Sequence, residues 1–228
     1  MDKLLSDFKI SIQKSIYNKD PESSDLGKRI IKYSIELIDQ IGLEAFTFKK
    51  LGVKIGSNES SIYRYFDNKH KLLIYLSCWY WGWLEYQLVI ETYSISDPVE
   101  KLKKAIEITT KSIKKHEKHN HIDQQILYRI IVNENSKSFL TKEVDKENQQ
   151  GYFKVYKRLI TRLKEMISTL SPNYKFPASL ASTIIETALH QHFLKNHFLT
   201  ITDCKSKTPP VKFITDMVFK TLNINKYE

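Results

Sequence analysis

Glycine and proline are scarce in this chain, with six of each in 228 residues. A sandwich or barrel needs many tight turns and draws on both, so few turns and long helices are favoured. Cysteine is scarcer still. Cys78 and Cys204 lie far apart and make neither a disulfide framework nor a zinc knuckle. Long apolar runs are missing too: the longest uncharged stretch, Leu72 to Leu84, has 13 residues, too few to span a bilayer. The opening MDKLLSDFKI carries Asp2 and Asp7 and lacks the apolar stretch of a signal peptide. No nucleophile elbow, phosphate loop, HExxH or paired-carboxylate motif occurs, so neither an enzyme nor a cofactor is expected. These absences point to a cytoplasmic, soluble, all-α protein with no membrane partner.

What is present is ordinary for a globular chain: 41% hydrophobic, 12% aromatic and 27% charged residues. Lysine and arginine number 36 against 26 acids, a net charge of +10 that invites a nucleic-acid partner. Residues 1–93 hold only 13 basic and 12 acidic residues, so the excess lies mostly in residues 94–228. Net charge therefore carries no functional claim by itself.

Periodicity divides the chain further. Leu4, Leu5, Phe8, Ile12 and Ile16 recur at helical spacing, so residues 1–24 read as a short helix or a mobile arm. Ile30, Ser34, Leu37, Ile38 and Ile41 then share one face, with Gly42 as the stop. Thr47 stands at an N-cap position before Phe48, Leu51 and Ile55, and Gly56 ends that short helix. Ser57 or Asn58 caps a third, through Ile62 to Phe66. Asp67 and Asn68 open a long aromatic helix to about Thr92. Beyond it, Asp97-Pro98-Val99-Glu100 is a strong helix start. Further helices follow over Ile122 to Ile131, Tyr152 to Leu170, Pro177 to about Leu199, and after Thr208-Pro209-Pro210. The total is nine or ten helices: an extension (1–24), a helix-turn-helix unit (25–75) and a larger bundle (76–228).

The helix-turn-helix carries the function. Its second short helix offers Asn58, Ser60, Ser61, Tyr63, Arg64 and Tyr65, while Ile62 and Phe66 serve the core. Short polar side chains near the helix start can approach base edges, and arginine or tyrosine can reach guanine, thymine methyls and phosphates. Thr47, Lys49 and Lys50 at the preceding helix start are placed for phosphates, as is Lys69.

The run from Phe48 to Leu73, above all Ile62-Tyr63-Arg64-Tyr65-Phe66-Asp67-Asn68-Lys69, resembles the DNA-binding signature of the TetR/AcrR bacterial regulators. The preceding Ile30-to-Gly42 helix and Thr47 also fit, so the resemblance covers about 48 residues. Departures are Gly52 and Ile55 at small-residue positions, Ser57-Asn58 for Val-Ser, and Ser60-Ser61 for Gly-Thr; they leave the operator sequence open. The resemblance implies a homodimer on a palindromic double-stranded operator, a C-terminal ligand domain, and release from DNA when ligand binds. A helical binding protein that kept this fold but lost DNA recognition is the alternative.

The C-terminal bundle has no motif of its own. Ala178, Ala181, Ile185 and Ala188 in residues 177–199, with Phe213, Ile214, Met217 and Val218 in residues 209–224, suggest a four-helix dimer interface. Ile126, Ile130, Tyr152, Tyr156, Leu159 and His190 are the expected lining for a small hydrophobic or aromatic effector. His116, His119 and His121 sit among lysines and read as a solvated helix end rather than a metal site. Cys78 reads as a small buried hydrophobe.

Overall fold

The computed structural model describes residues 10–113, 118–119 and 121–224. Ten α-helices follow one another among them: α1 (Asp25–Ala45), α2 (Phe48–Ile55), α3 (Glu59–Tyr63), α4 (Lys69–Thr92), α5 (Pro98–Thr110), α6 (Gln124–Glu134), α7 (Val144–Gln149), α8 (Lys154–Leu170), α9 (Pro177–His197) and α10 (Pro210–Thr221). The all-α expectation holds. The one strand pairing among the described residues is a two-residue antiparallel ladder, Lys118–His119 against Ile122–Asp123. It is too short to leave a period of two in the sequence.

The helix starts follow from local chemistry. The side chains of Ser24, Thr47, Asn58, Asp97 and Asp123 each accept a backbone N–H two or three residues on, as N-caps do. Pro98 and Pro177 occupy first-turn positions that need no donor. Gly42 interrupts the helical path where the stop was expected: at φ 73° and ψ 160° it is non-helical, an angle open to glycine, and a last turn to Ala45 follows the kink. The Glu134 carboxylate accepts the Leu43 N–H that the kink frees, at 3.2 Å.

Of the two readings of residues 1–24, a short helix or an arm, the described part does not take the α-helical one. Leu4, Leu5 and Phe8 lie outside the described residues. From Ile10 the chain forms no α-helix, only two 3-10 turns, Lys14–Ile16 and Pro21–Ser23. Ile12 and Ile16 are nevertheless buried, so their spacing marks two anchors of an irregular arm.

The chain forms two compact units. One comprises Met1–Gly82 and Ile113–Val155, the other Trp83–Ser112 and Tyr156–Glu228, so boundaries fall inside α4 and α8. In the first unit α6 packs along α1, where Arg129 grips Asp39 with two bonds of 2.9 and 2.6 Å. His70 meets Glu147 at 2.8 Å, and His121 meets Glu22 at 3.0 Å. This unit is therefore larger than the 25–75 segment proposed from sequence: residues 113–155 belong with the helix-turn-helix. The Cys78 thiol is buried, bonded to the Tyr152 carbonyl at 3.2 Å, and burial pushes its pKa up to about 12.

In the second unit α5, α9 and α10 pack on one another. Burial disfavours the Glu85 carboxylate, but hydrogen bonds from Arg158 and Arg162 outweigh that and hold its pKa below the usual value. His192 is buried and its Nε2 lies 2.8 Å from the Thr110 carbonyl, to which it donates. No helix among the described residues is long and apolar enough to cross a membrane.

Candidate DNA-binding surface

α1, α2 and α3 build the surface. Phe48, Leu51 and Ile55 of α2 and Ile62 of α3 are buried beside Ile30, Ile31 and Ile38 of α1. Gly56, in the left-handed region at φ 62°, closes α2 and turns the chain toward α3. Gly52 permits that turn to be tight: a Cβ there would come within 2.8 Å of the Ser57 carbonyl. Arg29 of α1 donates to the Ile55 carbonyl and ties the end of α2 down. Two short helices are thus fixed at a tight turn against a longer one.

Thr47 caps α2, its hydroxyl 3.2 Å from the Lys50 N–H. Lys49 and Lys50 are exposed on the first turn, and the Lys50 ammonium reaches the Ala45 carbonyl at 2.7 Å. Asn58 caps α3, accepting from the Ser61 N–H at 2.8 Å and the Ser61 hydroxyl at 2.7 Å. Ser60 and Arg64 are exposed. Tyr63 is 48% exposed, with its hydroxyl 3.3 Å from Glu59 and its ring edge-on to Phe48, centroids 5.1 Å apart. It packs on one side and faces solvent on the other.

Two residues expected at this surface are placed elsewhere. Tyr65 is only 3% exposed, and its hydroxyl lies 2.8 Å from the Ser24 hydroxyl. α3 ends at Tyr63, so Tyr65 leaves the helical phase and turns inward. The Lys69 ammonium is aimed at the carbonyls of Leu43 and Glu44, at 2.9 and 3.1 Å, and so satisfies the end of α1. The surface formed by Thr47, Lys49, Lys50, Asn58, Ser60, Ser61, Tyr63 and Arg64 combines backbone N–H groups at two helix starts with cationic and hydroxyl side chains. Its chemistry suits a phosphate backbone and base edges.

The residues expected to line an effector site divide between the two units. Ile126, Ile130 and Tyr152 belong to the first unit, while Tyr156, Leu159 and His190 belong to the second. Tyr152 donates to the Ser15 carbonyl at 3.0 Å, Tyr156 to Glu186 at 2.6 Å, and His190 is exposed. The second unit holds instead a cavity of about 480 Å³ whose lining includes Leu88, Thr92, Tyr93, Lys101, Arg162 and Met166. Sequence reasoning missed it because these residues come from three separated segments and form no motif.

The α9 residues proposed for dimer contact divide, and Ala178 is exposed. Ala181, Ile185 and Ala188 are buried within the single chain, against its own core. Exposed apolar side chains lie instead at Phe198, Leu199 and Ile201 after α9 and at Phe213 on α10. Of the histidine cluster, His116 lies outside the described residues. No group of three or more metal-binding side chains occurs among the described residues.

Residues 30–76 match the family model described as bacterial regulatory proteins, tetR family. No curated protein sequence matches the chain. Among solved structures, AibR in complex with isovaleryl coenzyme A and operator DNA is similar with a TM-score of 0.57 at 18% identity, covering 86% of this chain and 98% of that one. A transcriptional regulator from Saccharomonospora viridis in complex with choline gives 0.60 at 14% identity, covering 89% and 98%. The fatty acid degradation regulator FadR from Bacillus halodurans gives 0.54 at 18%, covering 88% and 98%. At such identities the likeness establishes the fold.

Proposed function

By its N-terminal domain the chain belongs to the tetR family of bacterial regulatory proteins, and we propose that it binds a palindromic operator as a dimer in the cytoplasm and is released by a small effector. The observation that carries this reading is α3. Its N-terminus is capped by Asn58, its inner side is anchored by Ile62, and Ser60, Tyr63 and Arg64 are left exposed. A helix that exposes guanidinium, phenol and hydroxyl on one side beside a second helix start suits the major groove. The exposed apolar side chains of Phe198, Leu199 and Ile201 after α9 and of Phe213 on α10 support pairing with a second copy through this end of the chain.

The cavity in the second unit supports the effector part of the reading. Its Leu88, Tyr93 and Met166 suit an apolar body and Lys101 an anionic end, beside Glu165 and an Arg162 that is paired with Glu85. AibR, which shares the fold, is captured with both an acyl coenzyme A and operator DNA. Effector release requires the ligand to bind the DNA-free arrangement more tightly, since equal affinity shifts nothing.

The test is duplex binding by fluorescence anisotropy over a salt series. Binding should weaken steeply with salt, and Arg64→Ala should cost about 1–3 kcal/mol on the preferred duplex and relax its specificity. An Arg64→Ala variant that discriminates among duplexes as well as the wild type would contradict base reading by α3.

A further inference from the structure

Asn18 lies 12 residues before the family match begins at residue 30. It nevertheless bonds the far end of the recognition helix. Its backbone N–H donates to the Tyr65 carbonyl at 2.8 Å, and its side-chain Nδ2 donates to the Tyr63 carbonyl at 3.3 Å and to Asp67 Oδ1 at 2.7 Å. Arg64 stands between the two carbonyls that Asn18 holds. α3 has five residues, little more than one turn, and a helix so short has no stability of its own. The carbonyls at its C-terminal end and just beyond need partners from outside, and Asn18 supplies one to Tyr63 and one to Tyr65.

The arm that carries Asn18 is itself fixed. The Ser15 carbonyl accepts from the Tyr152 hydroxyl at 3.0 Å and from the Lys71 ammonium at 3.4 Å. Tyr17 packs edge-on against Tyr75, and the Lys19 ammonium sits 5.2 Å from the centre of the Tyr65 ring. Lys71 also pairs with Asp67 at 2.6 Å, so Ser15, Lys71, Asp67 and Asn18 are linked in one polar chain. Bonds from Lys71 and then Asn18 hold the Asp67 carboxyl below its usual pKa.

We propose that Asn18 is a positioning residue for DNA recognition: it fixes the backbone on either side of Arg64 and thereby the direction in which Arg64 meets the bases. The proposal rests on the reading of α3 as the recognition helix. It predicts a loss of specificity more than of fold, because Asn18 is exposed and no core side chain depends on it.

The test uses the full-length chain, the duplex it selects from a random pool, and a scrambled duplex. Asn18→Ala should weaken binding to the selected duplex roughly tenfold, as loss of a hydrogen bond to a charged group would, and leave the scrambled duplex unchanged. Asn18→Asp keeps the size but sets a carboxylate against Asp67, and should lose at least as much. Combining Asn18→Asp with Asp67→Asn restores the bond between the two side chains with donor and acceptor exchanged but leaves the Tyr63 carbonyl without its donor, so affinity for the selected duplex should stay low. Hydrogen exchange of the amides of residues 61–66, measured without DNA, should quicken in Asn18→Ala. Equal losses on both duplexes, an unchanged Asn18→Ala, or full recovery in the exchanged pair would overturn the proposal. A wild-type chain that selects no duplex would instead strike the DNA-binding reading, and the exchange measurement would then decide the role of Asn18 alone.

Discussion

Tyr65 and Arg64 are adjacent in sequence and are put to opposite uses. Arg64 faces solvent, whereas Tyr65 is buried with its hydroxyl on Ser24. Tyr65→Phe should therefore lower the melting stability by about 1 kcal/mol, the worth of one hydrogen bond, and leave DNA affinity nearly unchanged. A variant of unchanged stability but weakened DNA binding would return Tyr65 to the contact surface. Lys69 is a similar case. Its ammonium caps the Leu43 and Glu44 carbonyls, so Lys69→Met should cost about 1–2 kcal/mol in thermal or denaturant unfolding. If Lys69 served only phosphate, the same change would weaken every duplex and leave unfolding untouched. The signature string made all these residues visible in the sequence but could not sort them. Which of two tyrosines two positions apart turns inward depends on where a five-residue helix ends, and that is set by contacts from residues 18 and 24.

At the scale of elements, caps and periodicity located most helices. Thr47, Asp97 and the prolines at positions 98 and 177 mark their starts as read. Between the helix and the arm read for residues 1–24 the spacing could not decide, because Ile12 and Ile16 share a helix spacing while serving as separate anchors. The inward face of α9 was misjudged for a related reason: a small-residue stripe suits a close neighbour whether that neighbour is the same chain or another. Ala181 is wholly buried, so Ala181→Glu should destabilise the monomer by about 3 kcal/mol or more and cannot test the dimer. Phe213, 44% exposed, is the informative site. Phe213→Asp should sediment as a folded monomer with weak operator affinity, and a variant that stays dimeric would move the interface off α10. On α9, burial lowers the pKa of His192 below its ordinary 6.5. The unfolded chain then takes up a proton before the folded one as pH falls, so acidification costs stability. Unfolding measured between about pH 7.5 and 5.5 should show that loss, and His192→Gln, which can still donate to Thr110, should lessen it. An equal slope in the two proteins would contradict a neutral buried imidazole.

For the whole molecule, the net charge of +10 was the least useful signal. The surface argued to meet DNA lies in the nearly neutral residues 1–93 and works through a few placed groups. Of the three junctions between the compact units, one follows Ser112, beyond the end of α5, and two fall inside continuous helices, α4 and α8, where no change of composition marks them. Both helices therefore belong to the DNA-binding unit at one end and to the cavity-bearing unit at the other, a connectivity on which effector release would depend. The central claim remains recognition of a specific duplex. The most direct measurement is selection of bound fragments from random DNA by the full-length chain at moderate salt, followed by sequencing. The result predicted is an enriched inverted repeat with two half-sites related by a dyad, lost when Arg64 is replaced by alanine. A bound pool no different from the input would contradict the account.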